Sequence, residues 1–170
     1  MNYIELHNAT HKWAEDRGIV KNGKVFTQTM KLISEFGELC DGIIKDRPHE
    51  IKDAIGDMMV VISNIASIEG EEYRTKFINI CQDEISPRLF EDAEDLDKTK
   101  KNNLVGMLCD LADFIEDYIF DGFQAVRKLK VIASLYKFTL AECWEAAYNE
   151  IKDRKGYLNE QGNFIKEGDV

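Results

Sequence analysis

Between Ala54 and Ile68, ten of fifteen residues are Ala, Ile, Met or Val. At about 100° per residue they surround the helix axis on all sides. A helix that is apolar all round has no solvent face, so its neighbours must cover it. The run falls short of the roughly 20 residues needed to cross a bilayer, and Asp57 and Asn64 interrupt it. It therefore predicts the central helix of a bundle.

The remaining chain reads as helices around that element. Residues 3–17 place Ile4, Leu6, Ala9 and Trp13 among polar neighbours and stop at Gly18. Residues 18–25 carry turn chemistry at Asn22-Gly23 and predict a loop. A second helix is expected over 26–45, with Arg47-Pro48 breaking it before the third helix at 49–68. A fourth is expected over 71–96 and a polar connection over 97–103. The fifth carries Leu104, Met107, Leu108, Leu111, Phe114, Ile115, Tyr118 and Ile119 as an amphipathic stripe. Further helices over 123–136 and 139–153 and a short hairpin after Gly156 complete an all-α, single-domain reading of residues 1–170. The segment Leu32–Glu38 can be laid on Met107–Asp113, and Ile65–Ser67 on Ile132–Ser134. This echo suggests a fused, degenerate tandem repeat of helical hairpins, with halves at 1–70 and 71–170.

The charge balance narrows the function. With 22 basic and 32 acidic residues the net charge is −10, which repels phosphate backbones and excludes general duplex nucleic-acid binding. The basic residues are interspersed with the acids, which argues against a uniform negative face that mimics DNA. Cys40, Cys81, Cys109 and Cys143 form no C-x-x-C pair, so zinc-ribbon and dithiol redox spacings are absent. They predict reduced, mostly buried thiols. The opening residues lack the basic-then-apolar order of a signal peptide, and the expectation is a cytoplasmic protein with no membrane partner.

The chemistry-bearing pattern lies on the second and third helices. Gln28, Lys31, Glu35 and Glu38 fall within roughly 80° of arc, and Glu50, Asp53, Asp57 and Asn64 within roughly 60°. Two facing helices thus bring several carboxylates toward one point, the way bundles build sites for hard divalent cations. An acidic stripe is more often a solvated face, and Asp110, Asp113 and Asp117 are read that way. Asp57 differs because it interrupts the apolar run. An unpaired buried carboxylate costs several kcal/mol unless it is protonated, paired or bound to metal. An interior hydrogen-bonded cluster is the competing explanation. His7 and His11, at i and i+4, lack converging ligands and read as surface or packing residues. Trp13 reads as core or as a stacking surface for a base. Gln28 and Asn64 are candidates for reading a base edge, since amides donate and accept.

Glu35-Phe36-Gly37-Glu38 followed by Glu50-Ile51-Lys52-Asp53-Ala54-Ile55-Gly56-Asp57 resembles the E-x-x-E … E-x-x-D signature of the MazG-like all-α nucleoside triphosphate pyrophosphohydrolases. Trp13-Ala14-Glu15-Asp16-Arg17-Gly18-Ile19 and residues 147–156 resemble its small phage-type members. The likeness covers about 3–68 and 139–166. In many members Glu stands three residues before the last Asp, and here that residue is Ala54. The reading adopted takes Glu35, Glu38, Asp53 and Asp57 as metal ligands, with Glu50 as the other candidate.

The resemblance implies Mg²⁺-dependent hydrolysis of a (deoxy)nucleoside triphosphate to the monophosphate and pyrophosphate. Glu35 or Glu38 would orient or deprotonate the attacking water. Lys31, Lys152, Arg154 and Lys155 would contact phosphates, although the C-terminal trio also suits a helix C-terminus. Members of the family usually assemble as homodimers or higher homo-oligomers. The alternative is a non-catalytic acidic helical protein, a nucleotide sensor or adaptor that has lost its chemistry through Ala54.

Overall fold

The computed structural model describes residues 1–84, 96–115, 123–162 and 164–168. The fold is an all-α bundle. Its helices are α1 (Tyr3–Asp16), α2 (Ile19–Asn22), α3 (Val25–Ile44), α4 (Pro48–Glu69), α5 (Glu71–Gln82), α6 (Leu96–Ile115), α7 (Ala125–Leu135) and α8 (Leu140–Ile151). A two-stranded antiparallel hairpin follows, with β1 (Gly156–Leu158) paired to β2 (Phe164–Lys166) in the register Gly156 to Lys166.

The apolar run forms the middle of α4, which α3 and α8 cover most extensively and α1, α2, α5 and α7 also touch. From Met58 to Ser67 every residue is buried. Pro48 occupies the first turn, where a missing N–H costs nothing. Gly56 sets the α4–α8 distance: a Cβ there would lie 2.3 Å from the carbonyl oxygen of Cys143. Below this contact Phe77, Phe123 and Trp144 pack ring to ring at 5.6–5.7 Å.

Two capping boxes start the flanking helices. Asn2 accepts from the Glu5 N–H while the Glu5 carboxylate accepts from the Asn2 N–H. Thr139 and Glu142 do the same for α8. Helix α1 docks on α4 through buried polar pairs. Arg74 Nε donates to His7 Nε2 at 3.1 Å, so the His7 proton sits on Nδ1 and is donated to Ser63 Oγ at 2.8 Å. Ser67 Oγ donates to the Ser63 carbonyl at 2.8 Å and accepts from His11 Nδ1 at 2.9 Å.

The structure differs from the sequence expectation in three places. The predicted loop at 18–25 contains α2, because Gly18 turns the chain at φ +74° and the wholly buried Ile19 anchors one helical turn. The predicted connection at 97–103 lies within α6: it is polar but holds no Gly or Pro, and Asn103 Nδ2 bonds back to the Thr99 carbonyl at 2.8 Å. The fourth helix ends at Gln82. Residues 85–95 and 116–122, with Tyr118, Ile119 and Asp117 among them, lie outside the described residues, as do the side chains of Asp113, Phe114 and Ile115. All four cysteines are free thiols, and Cys109 is exposed. Among the described residues no helix is long and apolar enough to cross a membrane.

Candidate functional site

A cavity of about 500 Å³ opens between α3, α4, the end of α8 and the hairpin. Helix α3 contributes Gln28, Lys31, Glu35 and Glu38, and α4 contributes Asp53, Asp57 and Asn64. These residues share a wall because the arcs of the two helices face each other where α3 and α4 pack. Val60, Val61, Ile19 and Trp13 supply apolar surface. Glu150, Arg154, Phe164 and Lys166 close the far side.

The depths of the acids differ from the sequence expectation. Glu35 is the enclosed one, 5% exposed. Its carboxylate accepts from Lys31 Nζ one turn earlier, while most of the lysine side chain remains in solvent. Asp57 is half-buried, because its face of α4 meets the cavity and not another helix. Asp53 and Glu38 stand exposed at the rim.

Burial and proximity shift Asp57, Asp53 and Glu38 in one direction. Asp57 is pushed up to about 6 by burial first, then by the charges of Glu35 and Asp53, with Lys31 and Arg154 opposing. Burial and the charges of Glu150 and Glu35 raise Asp53. Glu38 is raised by burial and by Glu35. Like charges in one partly dry space favour the protonated form or a bound cation.

The opposite end of the cavity is neutral. Gln28 and Asn64 are each 4% exposed, and Asn64 Nδ2 faces Gln28 Oε1 at 3.5 Å. Asn64 Oδ1 is buried with no hydrogen-bond partner among the described residues. A buried acceptor left unpaired is costly, so such a group calls for a donor beyond the described residues.

Glu50 faces elsewhere. It pairs with Arg47 at 2.9 Å and lines an adjoining cleft of about 390 Å³ with Ser34, Gly37, Glu38, Asp41 and Asp53. The cleft and the cavity share Ser34, Glu38 and Asp53. Of the C-terminal cations named from the sequence, only Arg154 reaches the cavity lining. Lys152 is exposed and donates to Asn149 Oδ1 at 3.0 Å, and Lys155 is exposed immediately before β1. Trp13 is 7% exposed, donates to the Ile151 carbonyl at 2.7 Å and meets the Phe164 ring edge-on at 5.7 Å. Its indole is thus built into the wall between α1 and the hairpin.

Sequence reasoning missed Glu150, Phe164 and Lys166. Glu150 sits in the last turn of α8 within a segment noted for other reasons, and the two hairpin residues reach the cavity through the β1–β2 pairing, which carries no helical period. Asp110, read as solvated, pairs with Lys128 at 3.0 Å and is only 15% exposed.

The donor set suits a hard divalent cation: Glu35, Glu38, Asp53 and Asp57 offer only carboxylate oxygens. Among the described residues no three His, Cys, Asp or Glu side chains are already closed into a metal cage. The Lys31 ammonium instead holds Glu35.

The chain is similar to a protein of Haemophilus phage HP1 described as an uncharacterized 18.2 kDa protein in the rep-hol intergenic region. The two are 49% identical over 62 residues, which is 36% of this chain and 38% of the phage protein. The match thus spans well under half of either protein. No protein-family model and no solved structure matches the chain.

Proposed function

We propose that this chain is a Mg²⁺-dependent nucleoside triphosphate pyrophosphohydrolase of the MazG-like kind. The observation that carries the reading is one cavity with opposed ends: four mutually repelling carboxylates at one and the Gln28–Asn64 amide pair, with its orphaned acceptor, at the other. A nucleotide has the matching polarity, with a charged phosphate chain and a base edge that both donates and accepts. The cations Lys31, Arg154 and Lys166 stand around the same space.

Glu35, Glu38, Asp53 and Asp57 would hold the metal, which when bound neutralises phosphate charge and lowers the pKa of water. The chain's own groups divide the remaining work. Arg154 and Lys166 pair with phosphate oxygens, the guanidinium in a forked geometry. Asn64 Oδ1 accepts from a base N–H, and Gln28 fixes the amide's orientation. Glu38, exposed at the rim and raised by burial and by Glu35, accepts the proton of the attacking water. The water oxygen ends on one phosphorus of the α–β bridge, the bridging oxygen leaves with the other phosphate, and the proton passes from Glu38 to solvent. The products are nucleoside monophosphate and pyrophosphate. On this reading the protein works as a homo-oligomer in the cytoplasm.

The test is incubation with each common ribo- and deoxynucleoside triphosphate plus Mg²⁺, with the phosphorus products identified by NMR. Monophosphate and pyrophosphate, abolished by EDTA, are expected. Diphosphate and orthophosphate would mean a different phosphohydrolase reaction. The second reading is a nucleotide sensor without turnover. It is favoured by the Lys31–Glu35 pair and the lack of a closed metal cage among the described residues. Binding without any product would select it.

A further inference from the structure

Arg17 lies outside the cavity lining, yet it ties together the pieces that form one wall. Its Nε donates to the Arg154 carbonyl at 2.9 Å, and one terminal nitrogen reaches the same carbonyl and that of Lys152 at 3.2 Å. The other terminal nitrogen donates to the Trp13 carbonyl at 3.2 Å, and the guanidinium lies 4.7 Å from the centre of the Trp13 ring. Trp13 meets the Ile151 carbonyl from the other side. The last carbonyls of a helix have no partner within it. The Ile151 carbonyl at the end of α8, which also accepts from the Arg154 N–H, and the Lys152 and Arg154 carbonyls of the turn after it are reached by two side chains, one from α1 and one from the residue that follows it.

A planar fork with five donors in fixed directions suits carbonyls spread over two segments better than a compact ammonium with three. The side chain that benefits is Arg154. Its backbone is pinned by Arg17, while its guanidinium, with no hydrogen bond or salt bridge among the described residues, lines the cavity, where its charge acts on Asp53 and Asp57.

We propose that Arg17 is a positioning residue for anion capture: it fixes the backbone of Arg154 so that the Arg154 guanidinium stands in the cavity, and touches no ligand itself. This rests on the reading of the cavity as a site for a phosphate chain. Arg17 then governs how tightly the anion is held more than how fast it reacts.

A double-mutant cycle on the full chain tests this. Binding of Mg²⁺-tripolyphosphate is measured by calorimetry for wild type, Arg17→Met, Arg154→Met and the double variant, with circular dichroism to check folding. Arg17→Met and Arg154→Met are each expected to weaken binding about tenfold, and the double variant by no more than about twofold beyond Arg154→Met. With a nucleoside triphosphate and Mg²⁺, Arg17→Met raises KM with kcat within about threefold of wild type. Arg17→Lys recovers part of the binding. If Arg17→Met does not fold, the same cycle is run with Arg17→Lys, and its loss of binding is expected to vanish in the Arg154→Met background. Losses that multiply in the double variant would overturn the proposal, as would Arg17→Met binding like wild type. Wild type that neither binds tripolyphosphate nor hydrolyses nucleotides overturns the nucleotide reading first, and the proposal with it.

Discussion

Helix α4 carries polar residues on two sides, and the two sides are built on opposite terms. Toward α1, Ser63 and Ser67 meet His7, His11 and, through His7, Arg74, and each of these contacts is a hydrogen bond of 2.8–3.1 Å. Toward α3, Asp53 and Asp57 face other carboxylates, and Asn64 keeps an acceptor with no partner among the described residues. The first side is closed and satisfied, and it fixes how α1 sits. The second side is open, repulsive and incomplete. Buried polar groups that find partners within the chain stabilise it, whereas those that do not are retained where a ligand completes them.

The sharpest way to break this comparison is at Asp57. Asp57→Asn is expected to reduce Mg²⁺-dependent turnover by about a thousandfold, on the order of 4 kcal/mol in the barrier. The same change removes a repelled carboxylate, so in EDTA its urea midpoint should rise, by up to about 2 kcal/mol of stability. Kinetics and urea unfolding on one preparation check both. A variant that loses stability would place Asp57 with the structural side.

His7→Ala is the mirror experiment. It leaves a cavity where His7 is fully buried, strands Ser63 Oγ and removes the acceptor of Arg74 Nε, while Arg74 keeps its ion pair with Glu71. The expected loss is about 3 kcal/mol in urea unfolding, with KM unchanged in the protein that remains folded. A change in KM would show that the two sides of α4 are coupled.

Acid separates the two sides by sign. Burial, with the charges of Arg74 and His11, lowers His7 from 6.5 to about 3. Below pH 6.5 the unfolded chain binds a proton that the folded one refuses, so this group costs stability as pH falls toward 3. Asp57 is raised from 3.8 to about 6. The folded chain there takes its proton first, so stability is gained between about 6 and 3.8. From pH 7 to 5, in EDTA, His7 removes about 2 kcal/mol and Asp57 returns about 1 kcal/mol. Asp57→Asn should therefore be the more acid-sensitive protein and His7→Gln the less, read as urea midpoints at the two pH values. Equal pH slopes in both variants would mean that neither group holds its shifted value.

These contrasts also explain what was legible in the sequence. The central position of α4 is readable because ten apolar residues leave no polar face. That Gln28, Glu35, Asp53, Asp57 and Asn64 share one space follows from two helical arcs. Periodicity gives a face but not its depth. Hence the expectation read Asp57 as buried within the apolar run, while the structure encloses Glu35 and leaves Asp57 half-buried. Depth is set by what covers the face, here Arg154, Phe164 and Lys166 from more than 90 residues downstream. The satisfied side was equally hidden. His7 and His11 show no ligand spacing, and their partners Ser63, Ser67 and Arg74 lie over 50 residues away.

The smallest expected effects test the distinction at its finest grain. Ser67→Ala deletes a hydroxyl that donates to the Ser63 carbonyl and accepts from His11, and should cost about 1 kcal/mol of stability. Asn64→Leu removes a side chain of similar volume whose Oδ1 is unpartnered and whose amide contact with Gln28 is long, at 3.5 Å. Replacing an unsatisfied polar group with an apolar one of like shape is nearly neutral, so its urea midpoint should stay within about 0.5 kcal/mol of wild type. Its effect belongs in ligand discrimination, as a narrowed ratio of kcat/KM between the preferred nucleotide and the others. If Asn64→Leu proved as destabilising as Ser67→Ala and left that ratio intact, Asn64 would belong to the structure of α4 and not to its cavity.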